Sequence, residues 1–329
     1  MILIENKKLD PYFNLAADEY LTKESKDSII TLWRNDNTIV IGKNQNTVQE
    51  INESFVREKD IRVARRITGG GAVYHDLGNL NFSFITPANG QKVCDFKRFL
   101  DPIRQALSGL GINAEFSGKN DLLIDGKKFS GNAQLIQRDR VLHHGTLLFS
   151  SDVKIIAECL NPDKKKLAKH GVASVKSRVT TIAENIEGKI TFDEFYNHLR
   201  SELVKFFGID EIRGLNAKES DDIQLLSDTK HRTKEWIYGA SPIFNYSRTN
   251  YFPGCGSLTF CLEISDDIIQ NVMILGDFIG ARDVSELEGL LIGKNRDEIH
   301  LAVSDADVES FFLGIDRVEL VNWLRLMMS

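Results

Sequence analysis

Two clusters in this chain stand out, and the first combines residue types and spacing that suit an anion. The first is Arg65, Arg66, Ile67, Thr68, Gly69, Gly70, Gly71, Ala72, Val73, Tyr74, His75 and Asp76. Its three glycines lie between a short extended run at Ile61 and Val63 and a run at Leu80, Phe82 and Phe84 that alternates with polar residues, the pattern of a half-buried strand, in a strand–turn–strand setting. Three glycines weaken any strand they occupy, so they mark a need for positive φ or for close backbone approach. Bare N–H groups flanked by two arginines suit a negative charge. A glycine-rich hairpin would explain the glycines alone, but the Arg pair and the His75–Asp76 pair favour a site. The second cluster is Gly118, Lys119, Asn120 and Asp121, followed by Lys127 and Lys128. Neighbouring residues of a strand point to opposite faces, so only one of the two lysines can face a shared pocket. Taken alone, a lysine beside a tight turn reads as a solvated edge residue. No G-x-x-x-x-G-K-[ST] run occurs, which excludes a P-loop as the nucleotide site.

Residues 65–79 resemble the R-R-x-S-G-G-G-x-V-x-H-D-x-G-N signature of the lipoate–protein ligases, with Thr68 in place of the usual Ser. Residues 118–133 resemble the second signature of that family, G-R-N-D followed by K-x-S-G-x-A. Lys119 stands there for Arg, which keeps the charge and loses the planar fork. The resemblance implies an α/β fold of the α+β kind, with a mixed, largely antiparallel sheet and flanking helices. That fold is related to biotin ligases and class II aminoacyl-tRNA synthetases. It also implies ATP-dependent activation of lipoate to lipoyl-AMP, then transfer to a lysine of a lipoyl carrier domain. The carriers would be E2 subunits of 2-oxoacid dehydrogenases or the glycine cleavage H protein, with octanoate as an alternative acid. Counting back from Ser130 and Gly131 selects Lys128 as the lysine that contacts both acyl carboxylate and α-phosphate, and hence as the catalytic residue. Arg66, Gly71, Ala72, Val73, Tyr74, Asn120, Asp121 and Lys128 are implied for ATP and the adenylate. Arg66, Thr68, Gly70, His75, Lys128, Gly131 and Ala133 are implied for lipoate. Adenylation normally uses Mg²⁺ on phosphate oxygens; Asp121 is one candidate ligand, with Asp76 and several other carboxylates also available. A cationic stretch, Lys164, Lys165, Lys166, Lys169 and Arg178, reads as a solvated face by itself and as an adenylate-covering loop by resemblance.

The elements that must hold these groups are legible in part. Asp10 and Pro11 predict a helix start, with Phe13, Ala16, Ala17, Tyr20 and Leu21 on one face. Ile29–Trp33 and Thr38–Ile41 predict strands, and residues 42–46 a polar loop. Thr47 and Glu50 predict a capping box for a helix facing inward through Val48, Ile51 and Phe55. Phe96, Leu100, Ile103, Leu107 and Leu110 keep helical period, with Pro102 marking a kink or a start. Asp125 and Gly126 predict a tight hairpin turn, and residues 141–149 a further strand carrying His143 and His144. Thr191 and Glu194 predict another capping box. Residues 241–254 read as a linker, with strands at Leu258–Ile264 and Val272–Leu275 beyond it. The predicted domains are 1–243, holding the site, and a small α+β accessory domain at 250–329.

With 329 residues, 42% of them hydrophobic and 27% charged, the composition is that of an ordinary globular protein. The net charge of −6 argues against a nucleic-acid partner. No window approaches the roughly 20 apolar residues of a membrane span, and the N-terminal residues do not pattern as a signal peptide. A cytoplasmic monomer is expected. The four cysteines show no C-x-x-C spacing, and His143–His144 has no partner at zinc-ligand spacing. Rival readings are an octanoyl or lipoyl transferase working through a thioester on Cys159, a non-catalytic lipoate or carrier binder, and a biotin ligase. Cys159 sits in an apolar helical setting that suits an inert thiol.

Overall fold

The Asp10 carboxylate accepts from the Tyr12 amide, and Pro11, with no N–H to leave unpaired, takes the first position of α1 (Pro11–Glu24). A computed structural model describes residues 1–91, 94–118, 120–160, 178–239, 244–266, 268–295 and 298–328. Lys119, the cationic stretch from Lys164 to Lys169 and the start of the expected linker lie outside the described residues.

The strands are β1 (Ile2–Glu5), β2 (Ile29–Trp33), β3 (Thr38–Ile41), β4 (Arg62–Arg65), β5 (Val73–His75), β6 (Asn79–Pro87), β7 (Glu115–Ser117), β8 (Asp121–Ile124), β9 (Lys127–Gln137), β10 (Arg140–Leu148), β11 (Glu211–Arg213), β12 (Tyr246–Phe252), β13 (Gly256–Ser265) and β14 (Ile268–Gly276). Among the described residues eight of them form one sheet in the order β11-β1-β2-β6-β10-β9-β8-β7. Its pairings are antiparallel apart from those of β1, so the sheet is mixed and largely antiparallel. A small second sheet, β4-β3-β5, carries the glycine turn between β4 and β5.

One face of the main sheet offers Leu80, Phe82 and Phe84 of β6 with Val141 and Leu147 of β10. These pack under α4 (Lys97–Ser108), which follows the one-turn α2 (Thr47–Glu50) and α3 (Glu53–Glu58), and under α6 (Phe192–Phe207), which follows α5 (Val153–Cys159). The helix α4 begins at Lys97 and runs through Pro102 instead of starting there. Thr191 and Glu194 close the capping box of α6, as their spacing predicts.

Two local expectations are corrected. Thr47 does not cap a helix with Glu50, because its hydroxyl accepts from Arg65 Nη2 and donates to the Ile237 carbonyl, both at 2.6 Å. Asn46 takes the N-cap position, and the chain breaks at Ile51 before α3. Residues 246–252, read as linker, form β12 and pair along β13. An edge strand with a single buried residue has no need of apolar alternation, so the pattern that marks β13 is absent from β12. Strands β12–β14 and the helices from Ser285 onward bury a separate apolar set that includes Phe260, Leu287, Val303 and Phe312.

Candidate active site

Arg65 and Arg66 leave β4 in opposite directions and build two different things. Arg65 Nη1 donates to the carbonyls of Gly42, Lys43 and Gln45 at 2.7–2.9 Å, and its Nε and Nη2 donate to the Ile237 carbonyl. It therefore holds the 42–45 loop in a ring of acceptors. Arg66 holds the glycine turn: Nε donates to Thr68 Oγ1 at 3.0 Å, Nη2 to the carbonyls of Gly69 and Gly71 at 2.7 and 2.8 Å, and Nη1 to Val40 at 3.2 Å. The planar fork makes this possible; an ammonium has only three donors, too few for these four acceptors. Both guanidinium groups are buried, and among the described residues neither pairs with a carboxylate. Burial lowers both to about 10, with the charge of Arg65 adding to the effect on Arg66, so both remain cations at neutral pH.

The glycines answer to different demands. Gly70 has φ +91°, a conformation that L side chains rarely adopt. A Cβ on Gly69 would lie 2.6 Å from the Phe278 carbonyl oxygen, and one on Gly71 would meet nothing within 4 Å. The Gly70 amide donates to Phe278 at 2.8 Å, so the segment after β14 takes one of the turn's N–H groups. The Gly276 amide donates to the Asn44 carbonyl, Lys43 pairs with Asp283, and the Ile136 amide donates to Ala281. These contacts seat that segment on the turn and on the 42–45 loop.

Beneath the turn lies a cavity of about 110 Å³. Of the sequence-predicted residues it brings together Arg66, Gly70, Gly71, Ala72, Val73, His75, Asn120, Lys128, Gly131 and Ala133. Three others differ. The Thr68 hydroxyl is fully buried below the turn, between Arg66 Nε and His144 Nε2 at 2.7 Å, and does not line the cavity. Tyr74 projects from the opposite face of β5 to Val73 and His75. Its ring packs with Ile39 and Ile41 and its hydroxyl donates to Asn37, which leaves only its backbone for a ligand. Asp121 stands at the rim, where its Oδ1 lies 2.8 Å from Lys128 Nζ.

Lys128 owes its pose to β9. The register between β8 and β9 slips so that Leu122 faces Ser130 and Leu123 faces Lys128, leaving the fully buried Phe129 as the extra residue of a bulge. Lys128 then folds back over Gly131, whose missing side chain leaves its Cε and Nζ room at 3.1 Å from where a Cβ would stand. Lys127 is exposed. Asn120 reaches the cavity through a reciprocal pair with Asn132, each side-chain amide donating to the other's backbone carbonyl at 2.7 and 2.9 Å.

Sequence reasoning missed the opposite wall and floor: Leu15, Trp33, Val40, Asn81, His144 and Thr146. Strand β6 was expected to be half-buried, yet both of its faces are covered, and the polar alternation is the side that builds the site. In the pairing of β6 with β10, Asn81 faces Thr146 and Ser83 faces His144. Ser83 accepts from Trp33 Nε1 at 2.9 Å and donates to Asp18 at 2.7 Å, and the other Asp18 oxygen lies 2.8 Å from His144 Nδ1. A hydrogen-bonded line thus joins Asp18 through His144 and Thr68 to Arg66. His143, one residue away and on the other face, stacks on Phe99 in the core.

His75 is held below its usual range, at about 3, by burial and by the nearby Arg66, so its ring is neutral. Cys159 is fully buried and its thiol is pushed up to about 12 by that burial. Cys94 is pushed up to about 12 in the same way. Neither lines the cavity, and neither has the cationic, accessible setting of a nucleophilic thiolate.

Residues 10–204 match the lipoyl protein ligase A/B catalytic domain family, and residues 241–324 match the bacterial lipoate protein ligase C-terminus. Lipoate-protein ligase LplJ of Bacillus subtilis is 39% identical over 329 residues, an alignment covering 98% of this chain and 99% of that protein. Among solved structures, P. falciparum LipL1 in complex with lipoate has a TM-score of 0.79 at 24% identity, covering 99% of this chain and 98% of the other, and shares the fold. The bi-partite lipoate protein ligase of Thermoplasma acidophilum, analysed with its E2 lipoyl domain, gives 0.62 at 28%, covering 74% of this chain and 98% of that one. A lipoate-protein ligase A bound with ATP gives 0.61 at 26%, covering 72% and 98%. A catalytic-domain match over more than half of the sequence, with a relative aligned end to end, places this chain in the lipoate–protein ligase family.

Proposed function

We propose that the protein is an ATP-dependent lipoate–protein ligase that works through a lipoyl-adenylate. A carboxylate oxygen of the acid attacks the α-phosphorus of ATP, the bond to the pyrophosphate oxygen breaks, and acyl-AMP remains. The amine of a carrier lysine then attacks the acyl carbonyl, AMP leaves with the electrons of the C–O bond, and the amine loses a proton. Positioning and fixed charge supply the rate enhancement, and no enzyme nucleophile is needed.

The observation that carries this reading is the charge arrangement of the cavity. Two buried guanidinium groups, without carboxylate partners among the described residues, stand behind a turn of three glycines, and Lys128 lines the same cavity as Arg66. The only described counter-charge of Lys128 is the rim carboxylate of Asp121. A carboxylate and a phosphate brought between these cations neutralise them, while Leu15, Trp33, Val40 and Ala133 give an apolar acyl chain its surroundings. Lys128 would exchange Asp121 for the α-phosphate as negative charge builds there. Arg66 contributes its charge and the shape of the turn, since most of its donors are already committed.

Among the described residues the cavity lining contains no carboxylate, and Asp121, beside Lys128, is the residue that would hold Mg²⁺ brought in with the nucleotide. When bound it would neutralise phosphate charge. The acyl acceptor is inferred to be a lysine on a lipoyl domain of an E2 subunit or a glycine cleavage H protein. The Thermoplasma ligase analysed with its E2 lipoyl domain supports that class of partner. The separate apolar sets of the two halves support domains at 1–243 and 250–329.

Pyrophosphate release with ATP and Mg²⁺, before any carrier is added, is the test. Release should depend on lipoate and leave a bound acyl-AMP. Lys128→Ala should abolish it, with the melting temperature unchanged; near-native adenylate synthesis by that variant sinks the assignment.

A further inference from the structure

The proton position on His75 can be read from the packing around it. Asn14 turns its side-chain nitrogen toward the backbone carbonyls of Lys8 at 3.0 Å and Arg34 at 2.8 Å, and toward Asn35 Oδ1 at 2.9 Å. A carbonyl oxygen can only accept. The end of Asn14 that faces two of them is therefore its NH₂ group, however the amide is first drawn. Its oxygen, at the other end, accepts from Asn6 Nδ2 at 2.8 Å. The Asn14 NH₂ has two hydrogens to share among three neighbours, and an Asn35 NH₂ set 2.9 Å from it would be donor against donor, so the Asn35 atom there is oxygen and the Asn35 nitrogen is left to face His75 Nδ1 at 3.1 Å. An N–H aimed at Nδ1 makes that atom the acceptor, so the neutral ring carries its proton on Nε2. Asn14, Asn35 and His75 are 1%, 0% and 3% exposed, which closes the chain to water. Among the described residues His75 Nε2 is buried and without a partner, on a ring that lines the cavity.

We propose that Asn35, oriented through Asn14 by the carbonyls of Lys8 and Arg34, is a positioning residue that locks His75 as an Nε2–H donor to the acyl oxygen of the substrate acid. The inference rests on the ligase reading and adds a role within it. A buried donor with no partner is unfavourable, and a ligand oxygen relieves it. The lone pair of the other tautomer would instead repel a carboxylate. The lock also denies His75 the Nε2 lone pair that a general base needs, so the proton of the incoming amine goes elsewhere. The Trp33 ring, edge-on to His75 at 6.1 Å, helps fix the plane of the imidazole.

The test is a long-range ¹H–¹⁵N correlation spectrum of the full-length protein, with His75 assigned by difference from His75→Asn. In the ligand-free protein Nδ1 should appear unprotonated and Nε2 protonated; the reverse pattern overturns the lock. Adding lipoate should shift the Nε2–H proton; a protein that binds lipoate with that resonance unmoved overturns the acyl contact. Asn35→Asp keeps the size of the side chain but offers Nδ1 an acceptor, which draws the proton there. It should raise KM for the acid about tenfold, the worth of one hydrogen bond, and leave KM for ATP unchanged. Equal losses for acid and ATP, or a native tautomer in that variant, would refute Asn35 as the positioning group. The ligand-free spectrum stands whether or not the variant folds. It is also independent of the ligase reading, which fails separately if the native protein shows no lipoate-dependent pyrophosphate release.

Discussion

Gly131→Ala separates the pose of Lys128 from the stability of the fold. A methyl group at position 131 would stand 3.1 Å from both Cε and Nζ of Lys128. Comfortable contact lies near 3.5–4.0 Å, so the head of the lysine must retreat by about 0.5 Å. If a misplacement of 1 Å costs about a hundredfold in rate, half that distance costs about tenfold, or about 1.4 kcal/mol of barrier. The backbone should tolerate the change. Gly131 does not have positive φ, and replacing glycine with alanine at an unstrained position typically adds about 0.4–1 kcal/mol by restricting the unfolded chain. Single-turnover pyrophosphate release should therefore fall about tenfold while the melting temperature holds or rises slightly. Full activity with unchanged stability would refute the argument that Lys128 acts from its place over Gly131. Loss of both together would show that position 131 is simply intolerant of a side chain.

The other predictions rest on separate observations. Gly69→Ala would push its new methyl against the Phe278 carbonyl oxygen, and because both sides of that contact are backbone, relief should cost about 1–3 kcal/mol and loosen the seat of the C-terminal half. Limited proteolysis should cut the variant faster than the native chain, and identical digestion would count against it. On acidification His75 stays neutral down to about pH 3 in the folded state, and burial also holds His143 well below its usual range. The unfolded chain takes up those protons near pH 6.5, so stability falls as pH drops below that value, by about 1.4 kcal/mol per pH unit for each ring. Denaturant titrations at pH 7, 6 and 5 should show the loss, and His143→Leu should make it shallower; an unchanged slope would mean that His143 is charged in the core. Cys159, buried, and Cys94, half-buried, are both poorly acidic and should resist iodoacetamide in the native state. Rapid inactivation that Cys159→Ala abolishes would revive the thioester route.

Legibility followed how local the signal was. Asp10 with Pro11, Thr191 with Glu194, and Asp125 with Gly126 act within one turn of chain, and each appears at its predicted place. The Asp125–Gly126 turn has both residues at positive φ, as a tight hairpin requires. The failures needed a distant partner. Thr47 has the residue type of a cap, but Arg65 and Ile237 claim its hydroxyl from 18 and 190 positions away. Alternation along β6 correctly signals a strand and wrongly implies solvent on its polar side, because nothing local shows that Asp18 of α1 will take the Ser83 hydroxyl or that Asn81 will line a cavity. His143 and His144 look alike in sequence; only the register against β6 sends one into the aromatic core and the other to the cavity.

The two arginines show why the site has its shape. A buried guanidinium without a carboxylate needs acceptors on most sides, and the chain supplies them from backbone carbonyls at Gly42, Lys43, Gln45, Val40, Gly69 and Gly71. Carbonyl oxygens can crowd a side chain this closely only where the backbone itself can approach. A Cβ on Gly42 would lie 1.9 Å from the Gly70 oxygen, so the two loops could not meet if position 42 carried a side chain. Carbonyls solvate a cation without cancelling its charge, unlike an aspartate at the same place. The field of Arg65 and Arg66 therefore persists into the cavity, where a neutral His75 and the hydrogen-bonded line from Asp18 through His144 to Thr68 frame it, with no carboxylate among the described lining residues. That explains why glycines and arginines occur together in the sequence: the glycines admit the carbonyls, and the carbonyls leave the positive charge available to an anionic substrate.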